Sequence, residues 1–130
     1  MDPYALVIAP VRSDPEFEAK MQIVRAVCHF AGLGCRLPKM NPGKFQVEAA
    51  IEAILGATVI VADLTYARPS CYYELGLVEG AGRRASLVAV TGTEIFQHSE
   101  RGSVAYYDDL AAYELVLTHA LDGPRQEASK

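Results

Sequence analysis

The chain has 130 residues, of which 51% are hydrophobic, with 12 basic against 16 acidic residues for a net charge of −4. That length suits one domain, the hydrophobic share is enough for a packed core, and negative charge without a basic stripe leaves no footprint for nucleic acid. No apolar run approaches the roughly 18–20 residues of a membrane span, and Met1-Asp2-Pro3-Tyr4 lacks the basic region of a secretory signal, so no membrane partner and a cytoplasmic location are expected.

Tyr4-Ala5-Leu6-Val7-Ile8-Ala9 is a near-continuous apolar run, the pattern of a strand covered on both faces, and Pro10 ends it. Asp14-Pro15 predicts a helix start, after which Phe17, Met21, Val24, Val27, Cys28 and Ala31 recur at helical spacing until Gly32 and Gly34. Cys35-Arg36-Leu37 predicts a short second strand stopped by Pro38. A second helix is expected with Phe45, Val47, Ala50, Ile51, Ile54 and Leu55 as its apolar face and Gly56 just beyond its end. Thr58-Val59-Ile60-Val61-Ala62, β-branched and apolar, is the strongest strand and runs into Asp63. A loop to Pro69 precedes a short helix from about Ser70 or Cys71; Ala85 to Val90 is a fourth strand, and Val104-Ala105-Tyr106 a brief fifth. Asp108 or Asp109 caps a last helix containing Leu110, Tyr113, Leu115, Val116 and Leu117.

Strands alternating with helices at this spacing predict β-α-β crossovers and a parallel sheet. The expected architecture is a single α/β, doubly wound, flavodoxin-like domain over residues 1–122, with four or five strands, and a flexible tail over 123–130. Cys28, Cys35 and Cys71 make an odd number without C-x-x-C spacing, and are read as free thiols.

In such sheets ligands bind beyond the carboxyl ends of the strands. This selects Pro10-Val11-Arg12-Ser13, Asp63-Leu64-Thr65 and the start of the helix holding Glu74. Asp63 ends a buried strand and needs a partner; it either serves a ligand or caps a turn through Thr65 or a nearby amide. Glu74 lies just past the first turn of its helix, where the dipole favours a carboxylate. A carboxylate kept ionised in an apolar setting suits a nucleophile or a group that stabilises developing positive charge, and a helix-start acid placed for stability is the alternative. Arg12 and Ser13 precede the first helix, where a phosphate can meet an N-terminus, although no G-x-G-x-x-G or Walker pattern is present. His29, His98 and His119 lack ligand spacing, and no metal is expected. In the doubled aromatics Tyr72-Tyr73 and Tyr106-Tyr107 one member is expected in the core and the other, as with Tyr73, lining a pocket and stacking on a base. A phosphoacceptor role for Asp63 would need acids after strand one to hold Mg²⁺, and Ile8-Ala9-Pro10-Val11 offers none.

The run Val59-Ile60-Val61-Ala62-Asp63-Leu64-Thr65, followed by Arg68-Pro69-Ser70-Cys71-Tyr72-Tyr73-Glu74-Leu75-Gly76, resembles the signature of bacterial TIR-like nucleotide-binding proteins. Those typically read ADLT…NPNVFYELG, and the related nucleoside 2-deoxyribosyltransferases keep a comparable Glu-Leu-Gly at a helix start. The likeness extends from strand one through Tyr106-Tyr107-Asp108-Asp109-Leu110. It implies an N-glycosidase or ribosyl or deoxyribosyl transferase acting on a nucleoside, nucleotide or NAD, the last as substrate, with no cofactor. It implies that Glu74 attacks or stabilises C1′ while the N-glycosidic bond breaks, with Asp63 binding sugar or base near the leaving group. Pro10, Arg12, Ser13, Thr65 and Tyr73 become the implied substrate contacts, and a homo-oligomer is implied because deoxyribosyltransferase-type sites are commonly completed by a neighbouring subunit. The family's two asparagines are Arg68 and Ser70 here, Glu79 stands where histidine is usual, and the "MPF" after strand one is Ala9-Pro10-Val11. Such departures fit altered specificity, or the alternative of a non-catalytic nucleotide-binding or protein-interaction module.

Overall fold

A computed structural model describes residues 2–38, 47–96 and 102–128, with side chains up to residue 122. Strands β1 (Tyr4–Ile8), β2 (Gly34–Arg36), β3 (Val59–Asp63), β4 (Ser86–Val90) and β5 (Val104–Tyr107) alternate with helices α1 (Phe17–Phe30), α2 (Val47–Gly56), α3 (Pro69–Gly80) and α4 (Leu110–Ala128). The strands form one parallel sheet in the order β2-β1-β3-β4-β5, the flavodoxin-like, doubly wound arrangement. Every residue of β1 and β3 is buried, because helices cover both faces.

The period of two along each strand divides the core. Ala5, Val7, Val59 and Val61 face Met21 and Val24 of α1 and Tyr113 and Leu117 of α4. Leu6, Ile8, Ile60 and Ala62 face Ile54 of α2 and Leu75 and Val78 of α3. Each large aliphatic side chain among these, withdrawn from water, contributes roughly 1.5–3 kcal/mol.

Several boundaries differ from expectation. Helix α1 starts at Phe17 rather than at Asp14-Pro15, because Asp14 is spent on a tight turn: its Oδ1 accepts from the Glu16 amide at 2.9 Å and its carbonyl from the Phe17 amide at 3.1 Å. Gly32, at φ 76°, reverses the chain after α1, and the Leu33 amide donates to the Cys28 carbonyl at 2.8 Å. Strand β2 therefore starts one residue early, at Gly34. Gly56 is the last residue of α2, not the residue after it. The Arg83 guanidinium closes that helix, donating to the carbonyls of Ile54, Leu55 and Ala57 at 2.8, 3.2 and 2.9 Å. The expected contribution of Phe45 lies outside the described residues.

Helix α3 opens one residue before the expected range, with Pro69 pre-set in its first turn. Of the two candidate caps for α4, Asp109 serves, its Oδ1 accepting from the Ala112 amide at 2.8 Å. The helix then continues to Ala128 through part of the stretch read as a tail. No helix among the described residues is long and apolar enough to cross a membrane.

Candidate functional site

Asp63 and Glu74 both lie at the carboxyl edge of the sheet, but they serve opposite faces. Asp63 is 1% exposed, and its alternation with Ala62 and Leu64 turns its carboxylate toward α1 and α4. Both of its oxygens are engaged. Oδ1 accepts from the Thr65 amide at 3.0 Å and from the Thr65 hydroxyl at 2.5 Å, while Oδ2 accepts from the Tyr107 hydroxyl at 2.7 Å. The Thr65 hydroxyl also accepts from the Val90 amide at 3.0 Å, tying β4 to the turn.

A buried lysine completes this cluster. Lys20 Nζ donates to the Tyr107 hydroxyl at 2.7 Å, pairs with Asp14, and lies 3.8 Å from Asp63 Oδ2. The ammonium also stands over the rings of Tyr107 and Tyr113 at 5.0 and 5.6 Å from their centroids. Burial first, and then the Asp63 charge, pushes the Tyr107 phenol upward, so it stays a neutral donor. Sequence reasoning assigns Asp14 only a helix-start role, leaves Tyr107 as one half of a pair and passes over Lys20. The available signal was Lys20 itself, a cation within the apolar stripe that runs Phe17, Met21, Val24.

Above this network lies a hollow of about 500 Å³, bordered by Lys20, Thr65, Tyr66, Thr91, Glu94 and Asp108. The turn Thr65–Ala67 that borders it holds Tyr66 and Ala67 at φ 68° and 48°. Left-handed conformations of such residues cost of order 1 kcal/mol or more each. The left-handed pair re-aims the chain from the end of β3 into α3.

Glu74 occupies a different environment. It is 8% exposed in the first turns of α3 and borders a cavity of about 10 Å³ with Leu6, Ile8, Pro38, Ala53 and Ile54. Among the described residues its carboxylate accepts no hydrogen bond and meets no cation, and since no fully buried polar atom there lacks a partner, its oxygens keep a narrow contact with solvent. Burial alone pushes its pKa from 4.5 up to about 7. The expected help of the helix dipole in keeping it ionised is thus outweighed by desolvation. A carboxylate so largely withdrawn from water and without a protein donor is costly to ionise, and a perturbed group of this kind is a mark of functional sites.

Pro10 is buried, and its carbonyl accepts from the Asp14 amide at 3.2 Å. Arg12 is exposed and Ser13 half-buried in the turn before α1. Tyr73 is 53% exposed, Tyr72 half-buried with its ring 5.6 Å from that of Phe96, and Tyr107 buried beside an exposed Tyr106. Thr65 is held within the Asp63 cluster. The structure thus joins Asp63 with Thr65, and separates both from Glu74 by the sheet. No group of carboxylate, cysteine or histidine side chains among the described residues is arranged to hold a metal ion.

No family model and no curated protein sequence matches the chain. Solved structures do. The CMP N-glycosidase of Clostridium botulinum superposes with a TM-score of 0.63 at 15% identity, covering 86% of this chain and 97% of that one. The 2-deoxyribosyltransferase of Leishmania mexicana gives 0.61 at 20% identity over 90% and 99%. A diflavin flavoprotein from Nostoc gives 0.67 at 10% identity over 98% and 95%. At these identities the likeness establishes the α/β, flavodoxin-like fold.

Proposed function

We propose that the chain cleaves the N-glycosidic bond of a nucleoside, a nucleotide or NAD, with Glu74 as the carboxylate that attacks C1′ or stabilises the oxocarbenium ion. The observation that carries this reading is the buried Glu74 carboxylate on the ligand-binding edge of the sheet, without a partner among the described residues. The Tyr73-Glu74-Leu75-Gly76 resemblance supports it, as does a fold similar to two proteins named as an N-glycosidase and a deoxyribosyltransferase. A carboxylate poor in hydrogen-bond donors is weakly solvated, which raises its nucleophilicity once ionised. Asp63, whose oxygens are engaged by Thr65 and Tyr107, is assigned to holding the β3–α3 turn.

The test is a panel of nucleosides, nucleotides and NAD incubated with purified protein, with free base or nicotinamide read by chromatography. Release that disappears in a folded Glu74→Gln variant supports the reading; absence of release across the panel overturns it.

The small cavity at Glu74 favours a second reading, a nucleotide-binding or protein-interaction module that leaves its ligand intact, since about 10 Å³ admits no more than roughly one water. Ligand-induced thermal stabilisation with chemically unchanged ligand recovered by mass spectrometry decides for that alternative.

A further inference from the structure

We propose that Cys35 is a hydroperoxide-reactive thiol and that Cys28 resolves it, the two closing a disulfide between β2 and α1. Cys28 is buried on the inward face of α1, and Cys35, half-buried on β2, packs against the cluster that contains it. The chain reversal at Gly32 brings the strand back alongside the helix, where the Leu33 amide meets the Cys28 carbonyl, and Cys35, in register with the inward-facing Ala5, turns to the layer that holds Cys28. Strand β2 is the outermost strand on its side of the sheet, so Cys35 borders solvent while Cys28 does not. An accessible thiol backed by a buried one is the arrangement of an attacking and a resolving cysteine.

Exposure assigns the roles, Cys35 bordering solvent and Cys28 not, and electrostatics agrees with it. The neighbouring Cys28 and then the charge of Arg25 on α1 favour the Cys35 thiolate against the opposing effect of burial, lowering its pKa. The same interaction and burial move Cys28 upward, so it keeps its proton. The other titratable group facing the pair is Tyr113 from α4, which burial holds neutral. Cys71 lies in the opposite layer, fully buried, and is pushed up to about 11 by burial and then by the Glu74 charge. It is the built-in control.

The chemistry balances with a hydroperoxide as oxidant. The Cys35 thiolate attacks the distal peroxide oxygen, the O–O bond breaks, and the departing oxyanion takes a proton, leaving a sulfenic acid on Cys35. The Cys28 sulfur then attacks the Cys35 sulfur, the S–O bond breaks, and hydroxide leaves as water with the Cys28 proton. Two thiols are oxidised to one disulfide and one peroxide is reduced.

The test uses the reduced, full-length chain and one equivalent of hydrogen peroxide. The expected result is a mass lower by two hydrogens, a Cys28–Cys35 cross-linked peptide, and Cys71 still alkylatable. Cys35→Ser abolishes the change. In Cys28→Ala, the sulfenic acid persists on Cys35 and is trapped by dimedone, and its alkylation at pH 7 slows roughly fivefold as the thiolate loses the neighbouring thiol. An unchanged mass in the wild-type protein, a link through Cys71, or an intramolecular disulfide that survives Cys35→Ser overturns the proposal. Peptide mapping of the wild-type chain separates these outcomes even if the Cys28 variant does not fold.

Discussion

Asp63 ends β3 with its carboxylate turned toward α1 and α4, where Tyr107 donates to it, while Glu74 on the next helix turns its own toward α2, among Leu6, Ile8 and Ile54. The sheet stands between them. One carboxylate has both oxygens hydrogen-bonded and holds a turn, while the other has no donor among the described residues and is pushed up in pKa by burial.

That difference sets a pH prediction for Glu74. Its folded pKa of about 7 exceeds the ordinary 4.5 expected of the unfolded chain, so between those values the folded state binds the extra proton. Stability is therefore fully present below about pH 4.5 and is lost as pH rises through 7, by an amount on the order of 3 kcal/mol. Glu74→Gln should remove this slope in urea titrations and give a protein more stable than wild type at pH 8. If Glu74 is the nucleophile, wild-type activity should rise over the same interval, and the stabilised variant should have none.

The Lys20 cluster makes a prediction about order of cost. Lys20→Met preserves the aliphatic volume but leaves Asp14 and Asp63 buried without their cation. Loss of one partner of a buried ion pair costs about 3–5 kcal/mol. Tyr107→Phe removes a neutral hydroxyl from the same cluster and should cost about 1–3 kcal/mol. Chemical denaturation of the two variants measures both; a Lys20→Met protein as stable as wild type would show that the ammonium is not what holds the two aspartates.

Tyr4 and Gly56 give a reversal of sign. A Cβ added at Gly56 would lie 2.8 Å from the Tyr4 hydroxyl, which is fixed by its hydrogen bond to the Ala53 carbonyl at 2.6 Å. Gly56→Ala should therefore destabilise by about 1–3 kcal/mol through overpacking. In a Tyr4→Phe background the nearest ring atom is 3.7 Å away, an ordinary contact, and the same substitution should stabilise by up to about 1 kcal/mol from helix propensity. The two melting shifts, measured as a double-mutant cycle, must differ in direction.

Arg83 is expected to matter for α2 through geometry rather than charge. Its planar guanidinium reaches three carbonyls at once, which an ammonium cannot. Arg83→Ala should cost about 1–2 kcal/mol. Arg83→Lys should recover less than half of that loss in thermal melts; full recovery would mean that charge at the helix end is sufficient.

The sequence by itself determined the order of elements and the nature of each. The apolar runs of β1 and β3 name strands buried on both faces, the spacing of Met21, Val24 and Cys28 names the inward face of α1, and Asp63 and Glu74 are marked as acids at the edge where strands end. These are local properties of period and side-chain type, and they survive into the fold. Helix boundaries slipped where a side chain was diverted to a neighbouring turn, as Asp14 was. Only the tertiary structure decided which face each acid serves. A period of two fixes that neighbours along β3 point oppositely, but which helices cover each face depends on the crossovers, and these depend on packing between distant segments. Lys20, Tyr107 and Asp63 meet only because α1 and the Tyr107 side chain of β5 lie on the same side of β3, and Cys35 packs against the cluster that holds Cys28 only because Gly32 turns the chain back. Glu74, legible as an acid near a helix start, acquires its raised pKa from burial among Leu6, Ile8 and Ile54, none of which is near it in the chain.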